Sequence, residues 1–269
     1  MVKVRFEVPN HKELTKDYTV VDMHSHTQAS FDCSTDIKSF TQRIRELGMG
    51  VAITDHDEIK GSLWLKKHHP TLFQIPGIEV TSNEKKHILL YFTSHKDLEH
   101  FYTKHILLNK KKQGRTTFVG KTRLSYEYIL DLGKDYNAVR VLPHPFIRVI
   151  GIFRSIMKTD EFKIMKKVEG IEVINPTQSY NANLKSLAWA HLENKAYTAG
   201  SDSHVLSTLG NTVTISKATT PESFLEAIRK KQNTVIGKSN TVRADFLNLR
   251  TIIKNHLLGK PKNKREIEN

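Results

Sequence analysis

Cysteine is nearly absent from this chain of 269 residues, with Cys33 the single thiol. No internal disulfide can form, so a small stapled fold is excluded and a reducing, cytoplasmic setting is expected. Long apolar runs are missing too. Stretches such as His87-Ile-Leu-Leu-Tyr-Phe92 stop well short of the ~20 residues that a membrane-spanning helix requires. The opening Met1-Val-Lys-Val-Arg-Phe-Glu-Val8 also differs from the basic and then apolar character of a secretion leader. Together these features predict a soluble cytoplasmic protein without membrane contact. Apolar residues nevertheless make up 38% of the chain. A chain of this length removes about three quarters of its unfolded surface from water, which excludes a mini-protein or a disordered tail. One large barrel and two small domains both fit the length.

Acidic residues are in deficit, with 28 Asp plus Glu against 42 Lys plus Arg and a formal net charge of +14. The excess is concentrated. Lys96 to Arg123 holds eight basic and two acidic residues, Arg229 to Asn269 eleven and three, and the remainder balances at 23 against 23. Such segments can attract short nucleic acid or small phosphates, or form a solvated basic surface.

Short apolar runs alternate with capped helices. Val20 to Met23, Val51 to Thr54, Ile75 to Glu79, Ile88 to Phe92, Val139 to Leu142, Ile171 to Ile174 and Tyr197 to Ala199 read as strands covered on both faces. This pattern predicts a parallel α/β core. Ile37, Phe40, Ile44 and Leu47 recur at helical spacing between Thr35-Asp36 and Gly48. Thr220-Pro221 opens a second amphipathic helix carrying Phe224, Leu225 and Ile228. Residues 96–138 form an excursion with helices around Leu98 to Leu108 and Tyr126 to Leu132. The expected organisation is one domain over residues 1–257 followed by a flexible basic tail, 258–269.

Ionisable residues gather where these strands become loops. Asp22-Met-His24-Ser-His26 follows the first strand, and alternation turns His24 and His26 to the same side. Asp32 lies six residues on, and Thr54-Asp55-His56-Asp57 ends the next strand. Glu79 follows Pro76-Gly-Ile, His87 opens a strand, His144 sits in Leu-Pro-His-Pro, and Asp202 and His204 close Gly200-Ser-Asp-Ser-His204. Each histidine alone is ordinarily structural. Together these six imidazoles and three carboxylates suit two or three divalent ions, and the absence of thiolate favours Zn, Mn or Fe. Asp22 and Asp55 are candidates to orient the imidazoles, with strand-end capping as the alternative. Arg148, four residues beyond His144, is a candidate phosphate clamp. Asn175 and Asn181 either line the pocket or form turns.

In these residues the chain resembles the polymerase and histidinol phosphatase (PHP) family, from about Val20 to Gly237. His24 and His26 resemble its D-x-H-x-H motif, Asp32 its S-x-D aspartate, and His56 the histidine of its T-D-H-D segment. Glu79 resembles the glutamate of its G-x-E motif, His87 and His144 its later histidines, and Asp202 and His204 its closing G-S-D-x-H pair. Phe31, standing before Asp32, matches some members; close nucleotide-phosphatase relatives often have the aspartate one place earlier. The resemblance implies a distorted (β/α)7 barrel with a trinuclear metal centre that hydrolyses phosphoesters through metal-activated hydroxide. It also implies one ion on His24, His26, Glu79 and Asp202, a second on Glu79, His87 and His144, and a third on Asp32, His56 and His204. His24, His26 and Asp202 would then support the hydroxide. The expected substrate is a small phosphorylated metabolite or nucleotide phosphomonoester. The alternatives are a short-oligonucleotide exonuclease, with Tyr102, Phe118, Tyr126 and Tyr128 as possible stacking groups, and a noncatalytic metal-stabilised interaction module. No motif identifies a protein partner.

Overall fold

The computed structural model describes residues 3–110, 122–146, 148–149, 152–153 and 161–239. The Arg148 side chain, Arg154, Lys111, Lys112, Phe118 and the tail lie outside what is described. In chain order the elements are β1 (Val4–Arg5), α1 (His11–Asp17), β2 (Thr19–Ser25), α2 (Ile37–Leu47), β3 (Gly50–Ile53), α3 (Lys60–His68), β4 (Gly77–Thr81) and β5 (His87–Tyr91). They continue with α4 (His95–Phe101), α5 (Tyr126–Asp135), β6 (Val139–Leu142), β7 (Arg148–Val149), β8 (Ile152–Phe153) and α6 (Glu161–Lys167). The series ends with β9 (Gly170–Ile174), α7 (Tyr180–Leu192), β10 (Ala196–Ala199), β11 (Thr212–Ser216), α8 (Pro221–Arg229) and β12 (Thr234–Gly237).

The strands form two separate five-stranded sheets, ordered β1-β12-β11-β2-β3 and β10-β9-β6-β5-β4, beside a β7-β8 ribbon. Neither sheet closes, which corrects the expected (β/α)7 barrel. The parallel expectation also yields to a mixed arrangement: β2–β3 and β6–β9 are parallel, whereas β11–β2, β4–β5 and β5–β6 are antiparallel. The reason for the open seam is local. Where β3 approaches β4, pairing shrinks to the isolated bridges Val51↔Gln74 and His56↔Glu79; where β2 nears the exit of β10, it shrinks to Ser25↔Ser203. Ladders stop where the chain turns its ionisable side chains inward. A register shift between Asp22 and Ser25 marks the same departure in β2, and irregularities of this kind re-aim side chains near functional sites.

Among the described residues, three apolar clusters hold the layers together. Between the sheets, Val21, Met23 and Ala52 meet Leu89, Tyr91, Val139 and Val141, and α8 adds Phe224, Leu225 and Ile228. The Tyr91 hydroxyl donates to Met23 O across this interface at 2.6 Å. Helix α2 buries Ile37, Phe40 and Ile44 as its spacing predicts, and Gly48 ends it at φ 64°, donating its amide to Ile44 O and Arg45 O. Thr220 and Ser223 form a capping box at α8, with Pro221 in the first turn. The excursion contains α4, a π turn over Tyr102–Ile106, a 3-10 turn over Leu107–Asn109, and α5. Its Leu98, Phe101, Ile106, Ile129 and Leu130 join the core over β5 and β6.

One close approach sets the position of the last loop. A β-carbon on Gly200 would lie 2.3 Å from both N and Cβ of His24, so β10 can run this near β2 only with glycine there. The adjoining chain is laced to β2 by Asp202 N–H to His24 O (2.7 Å) and His26 N–H to Ser203 O (3.2 Å). A Gly200→Ala variant is expected to lose about 1–3 kcal/mol from overpacking, read as a lower urea midpoint. An unchanged midpoint would show that the loop can move away from β2 freely.

Candidate metal centre

All nine predicted side chains converge at this end of the sheets, and none is more than 14% exposed. Glu79 is at the centre. Its Oε2 lies 3.2 Å from His24 Nε2, 3.4 Å from His26 Nε2 and 3.3 Å from His56 Nδ1. Its Oε1 lies 2.9 Å from His87 Nδ1 and 3.3 Å from His144 Nε2. Asp202 Oδ1 faces His26 Nε2 at 3.2 Å and His24 Nε2 at 3.5 Å. Asp32 Oδ2 faces His204 Nε2 at 3.0 Å and His56 Nε2 at 3.3 Å. The donor atoms therefore form overlapping groups, among them His24, His26 and Glu79; His56, Glu79 and His87; and His26, His56 and His204. These groups can hold two or three ions.

Backbone conformation contributes to the convergence. Asp57, His144 and Asp202 adopt positive φ (51°, 28° and 49°), a region that residues with a β-carbon occupy only when their surroundings enforce it. Hydrogen bonds supply that enforcement: Asp57 N–H donates to Glu79 O (2.9 Å), His144 N–H to Glu172 Oε2 (2.9 Å) and Asp202 N–H to His24 O (2.7 Å).

Burial alone would lift the carboxylates and lower the imidazoles; their mutual fields reverse this at most positions. Glu79 is pulled well below the usual carboxylate range by His56, His24 and His87 despite its burial, and Asp32 is pulled down in the same way by His204 and His56. Asp202 follows through His24, His26 and His204. Burial opposes a charge on His56 and His204, yet Glu79 and Asp32 raise the former to about 10, and Asp32 raises the latter to about 9. His24 and His144 also rise against burial, through Asp202, Glu172 and Glu79. His26 and His87 instead fall to about 4, with burial the main cause. Without a cation, the carboxylates favour the protonated form of His24, His56, His144 and His204.

The donor set fits divalent ions. His24 Nδ1 donates to Glu172 Oε1 at 3.1 Å while its Nε2 faces two further carboxylate oxygens. A neutral ring has one proton and cannot serve both sides, so this ring is either imidazolium or the ligand of a cation. His204 is arranged alike, with Nδ1 donating to Asp202 O at 2.9 Å and Nε2 facing Asp32. His87 has both ring nitrogens buried and without a hydrogen-bond partner among the described residues, although Nδ1 lies close to Glu79. Nitrogen lone pairs aimed at a shared cation would approach in this way.

The neighbouring residues depart in part from expectation. Asp22 orients backbone, not an imidazole: it accepts from the amides of His24 (3.2 Å), Ser201 (2.9 Å) and Gly210 (3.0 Å), and burial raises it to about 6. Asp55 accepts from the amide (2.6 Å) and hydroxyl (2.8 Å) of Thr27. Asn175 donates to Asp202 Oδ2 (3.3 Å) and Glu172 Oε2 (2.8 Å) while its oxygen closes a turn with Thr177, so it serves both of its readings. Asn181 is exposed on α7 and apart from these contacts. Buried Cys33 lies against His26 O and His204 O, its thiol pushed up to about 12 by burial.

Glu172 belongs to none of the strand-end motifs. Buried in β9, it bonds the ring of His24, the amide of His144 and the side chain of Asn175. The available signal was an acid inside an apolar strand, in a tetrapeptide, Gly170-Ile-Glu-Val173, identical to Gly77-Ile-Glu-Val80 around Glu79.

A model of the PHP domain matches residues 22–138, and one described as PHP-associated matches residues 181–233. The chain belongs to the PHP family. Membership makes it a metal-dependent hydrolase of the phosphoesterase type and sets aside the noncatalytic reading. The PHP chain is 27% identical over 237 residues to an uncharacterized protein of Methanocaldococcus jannaschii, covering 83% of this chain and 85% of that one. In fold it is similar to PsfC from Pseudomonas syringae (TM-score 0.60, 17% identity, 90% of this chain and 99% of that one). It is also similar to the lesion-specific endonuclease PfuEndoQ from Pyrococcus furiosus (TM-score 0.63, 17% identity), covering 81% of this chain and 57% of that one.

Replacing the carboxylate that holds both His24 and His144 tests the role of Glu172. Glu172→Gln is expected to weaken divalent-ion affinity about 10- to 100-fold, the usual range for such supporting groups, in a calorimetric metal titration. Wild-type affinity in the variant would show that the His24 ring needs no charged partner on Nδ1.

Proposed function

We propose that this PHP protein hydrolyses a phosphomonoester of a small phosphorylated metabolite or nucleotide. The observation that carries the reading is the convergence of five imidazoles on the two oxygens of Glu79. Bound divalent ions supply Lewis acidity and lower the pKa of water toward ~7, providing a nucleophile near neutral pH. We assign Glu79 as the bridge, with His24, His26 and Asp202 on one side of it and His87 and His144 on the other. Asp32, His56 and His204 complete a third position. Glu172 and Asn175 keep His24, His144 and Asp202 in place, so little rearrangement is needed when a phosphate enters. The metal is assigned to Zn, Mn or Fe from the nitrogen and oxygen donors.

Access limits the size of the substrate. The nine side chains are nearly enclosed, with His87 the most exposed at 14%, which suits a terminal phosphate entering end-on. A second reading, removal of nucleotides from the end of a short oligonucleotide, draws on the fold shared with PfuEndoQ and on the two basic segments. Of its stacking candidates, Tyr126 is buried and Tyr102 carries Lys110 over its ring, whereas Tyr128 is half exposed. These placements favour the smaller substrate.

Protein loaded separately with Zn²⁺, Mn²⁺ and Fe²⁺ should release inorganic phosphate from phosphomonoesters. His26→Ala should lower kcat/KM by on the order of 10³-fold, since it removes a nitrogen from the centre of the cluster. Release of mononucleotides from oligonucleotides, with phosphomonoesters left intact, would transfer the assignment to the exonuclease reading.

A further inference from the structure

At the end of β10 opposite the metal centre lies a cavity of about 290 Å³ lined by Lys3, Asn194, Lys195, Tyr197, Lys231 and Asn233, among others. Lys195 immediately precedes β10, whose other end leads into Asp202 and His204. The cavity therefore shares a strand with the catalytic loop and none of its residues.

Three lysines line it. Lys3 Nζ donates to Lys231 O at 2.8 Å, Lys231 Nζ to Asn194 Oδ1 at 2.6 Å, and Lys195 Nζ to Val168 O at 2.9 Å. Each acceptor is neutral, and an ammonium has three protons to give, so donor capacity remains. No carboxylate forms an ion pair with any of the three among the described residues. Glu169, which acts on Lys195 from outside the cavity, is engaged by Arg140. Burial lowers Lys195 most; the carboxylates of Glu169 and Glu193 oppose it, and the smaller fields of Lys231 and Arg140 add to the lowering.

The ordinary explanation for lysines at such a place is that they neutralise helix C-termini. Here the backbone already does much of that. After α7, the amides of Asn194 and Lys195 bond His191 O (3.1 Å) and Ala190 O (2.8 Å); after α8, those of Lys231 and Gln232 bond Ile228 O (2.8 Å) and Ala227 O (2.7 Å). Both turns pass through the left-handed region, at Asn194 (φ 51°) and Lys231 (φ 56°). Glycine and asparagine suit that position and a lysine does not. Its presence places an ammonium at the cavity at the expense of backbone comfort. The volume is at the lower limit of the ~300–1,000 Å³ typical of ligand pockets, appropriate to a phosphate group on a small carrier.

We propose that this cavity is a second anion site, which takes a small phosphorylated ligand on the ammonium groups of Lys3, Lys195 and Lys231 independently of the metal centre. The test titrates isotopically labelled full-length protein with inorganic phosphate and follows the backbone amides by NMR. Saturable shifts are expected at Asn194, Lys195, Lys231 and Asn233, with the same dissociation constant in His26→Ala protein. Binding should weaken at least about tenfold in a Lys195→Gln, Lys231→Gly double variant, because two of three charge-assisted contacts are removed. The Lys231→Gly single variant carries the residue that its backbone favours and should melt no lower than wild type, so weaker phosphate binding in it cannot be attributed to unfolding. Shifts confined to the metal end, or full binding by the double variant, would overturn the proposal.

Discussion

A fully buried carboxylate, Glu79, faces five imidazoles, and this one arrangement explains most of what surrounds it. An ionised carboxylate taken from water costs several kcal/mol, and the cost falls only when compensating charge is held close in fixed geometry. Asp32 and Asp202 add two more buried carboxylates under the same requirement. Protons on His24, His56, His144 and His204 can provide compensation, as the raised affinities of these rings show. Divalent ions provide it more completely and bring the chemistry of phosphoester hydrolysis with them.

The open architecture follows from that requirement. Strands that would continue from one sheet to the next instead break into single bridges at His56↔Glu79 and Ser25↔Ser203, next to the groups that must turn inward. Rigidity lost from the ladder is recovered by side chains. Asp22 ties the amides of His24, Ser201 and Gly210; Asp55 ties Thr27; and Glu172 ties His24 and His144. The fold thus uses buried acids in two ways, some facing the imidazole cluster and others holding the loops that carry it.

Local features were the legible ones. Helices α2 and α8 could be read because a cap, an apolar stripe and a stop signal lie within a dozen residues. The nine clustered side chains could be read because they recur in short motifs at strand ends. Closure could not: an apolar run such as Ile88 to Phe92 is buried in a barrel or an open sheet alike, and one of its two antiparallel partners, β6, lies some 50 positions away. The alternating Thr212-Val-Thr-Ile-Ser216 strand, which joins β2 to β12, offers no continuous apolar run and is not legible in this way. Glu172 escaped for a related reason, since a reading of Ile171 to Ile174 by its apolar members passes over the acid among them.

The central claim is that these buried side chains share closely spaced cations around Glu79. Anomalous diffraction from crystals grown with Mn²⁺ tests it most directly. The account predicts two or three peaks about 4 Å apart, with Glu79 between two of them and His24, His26, His87, His144 and Asp202 around that pair. Saturating Mn²⁺ with no peak inside this cluster, or an ion held elsewhere while the nine side chains keep their present contacts, would contradict it.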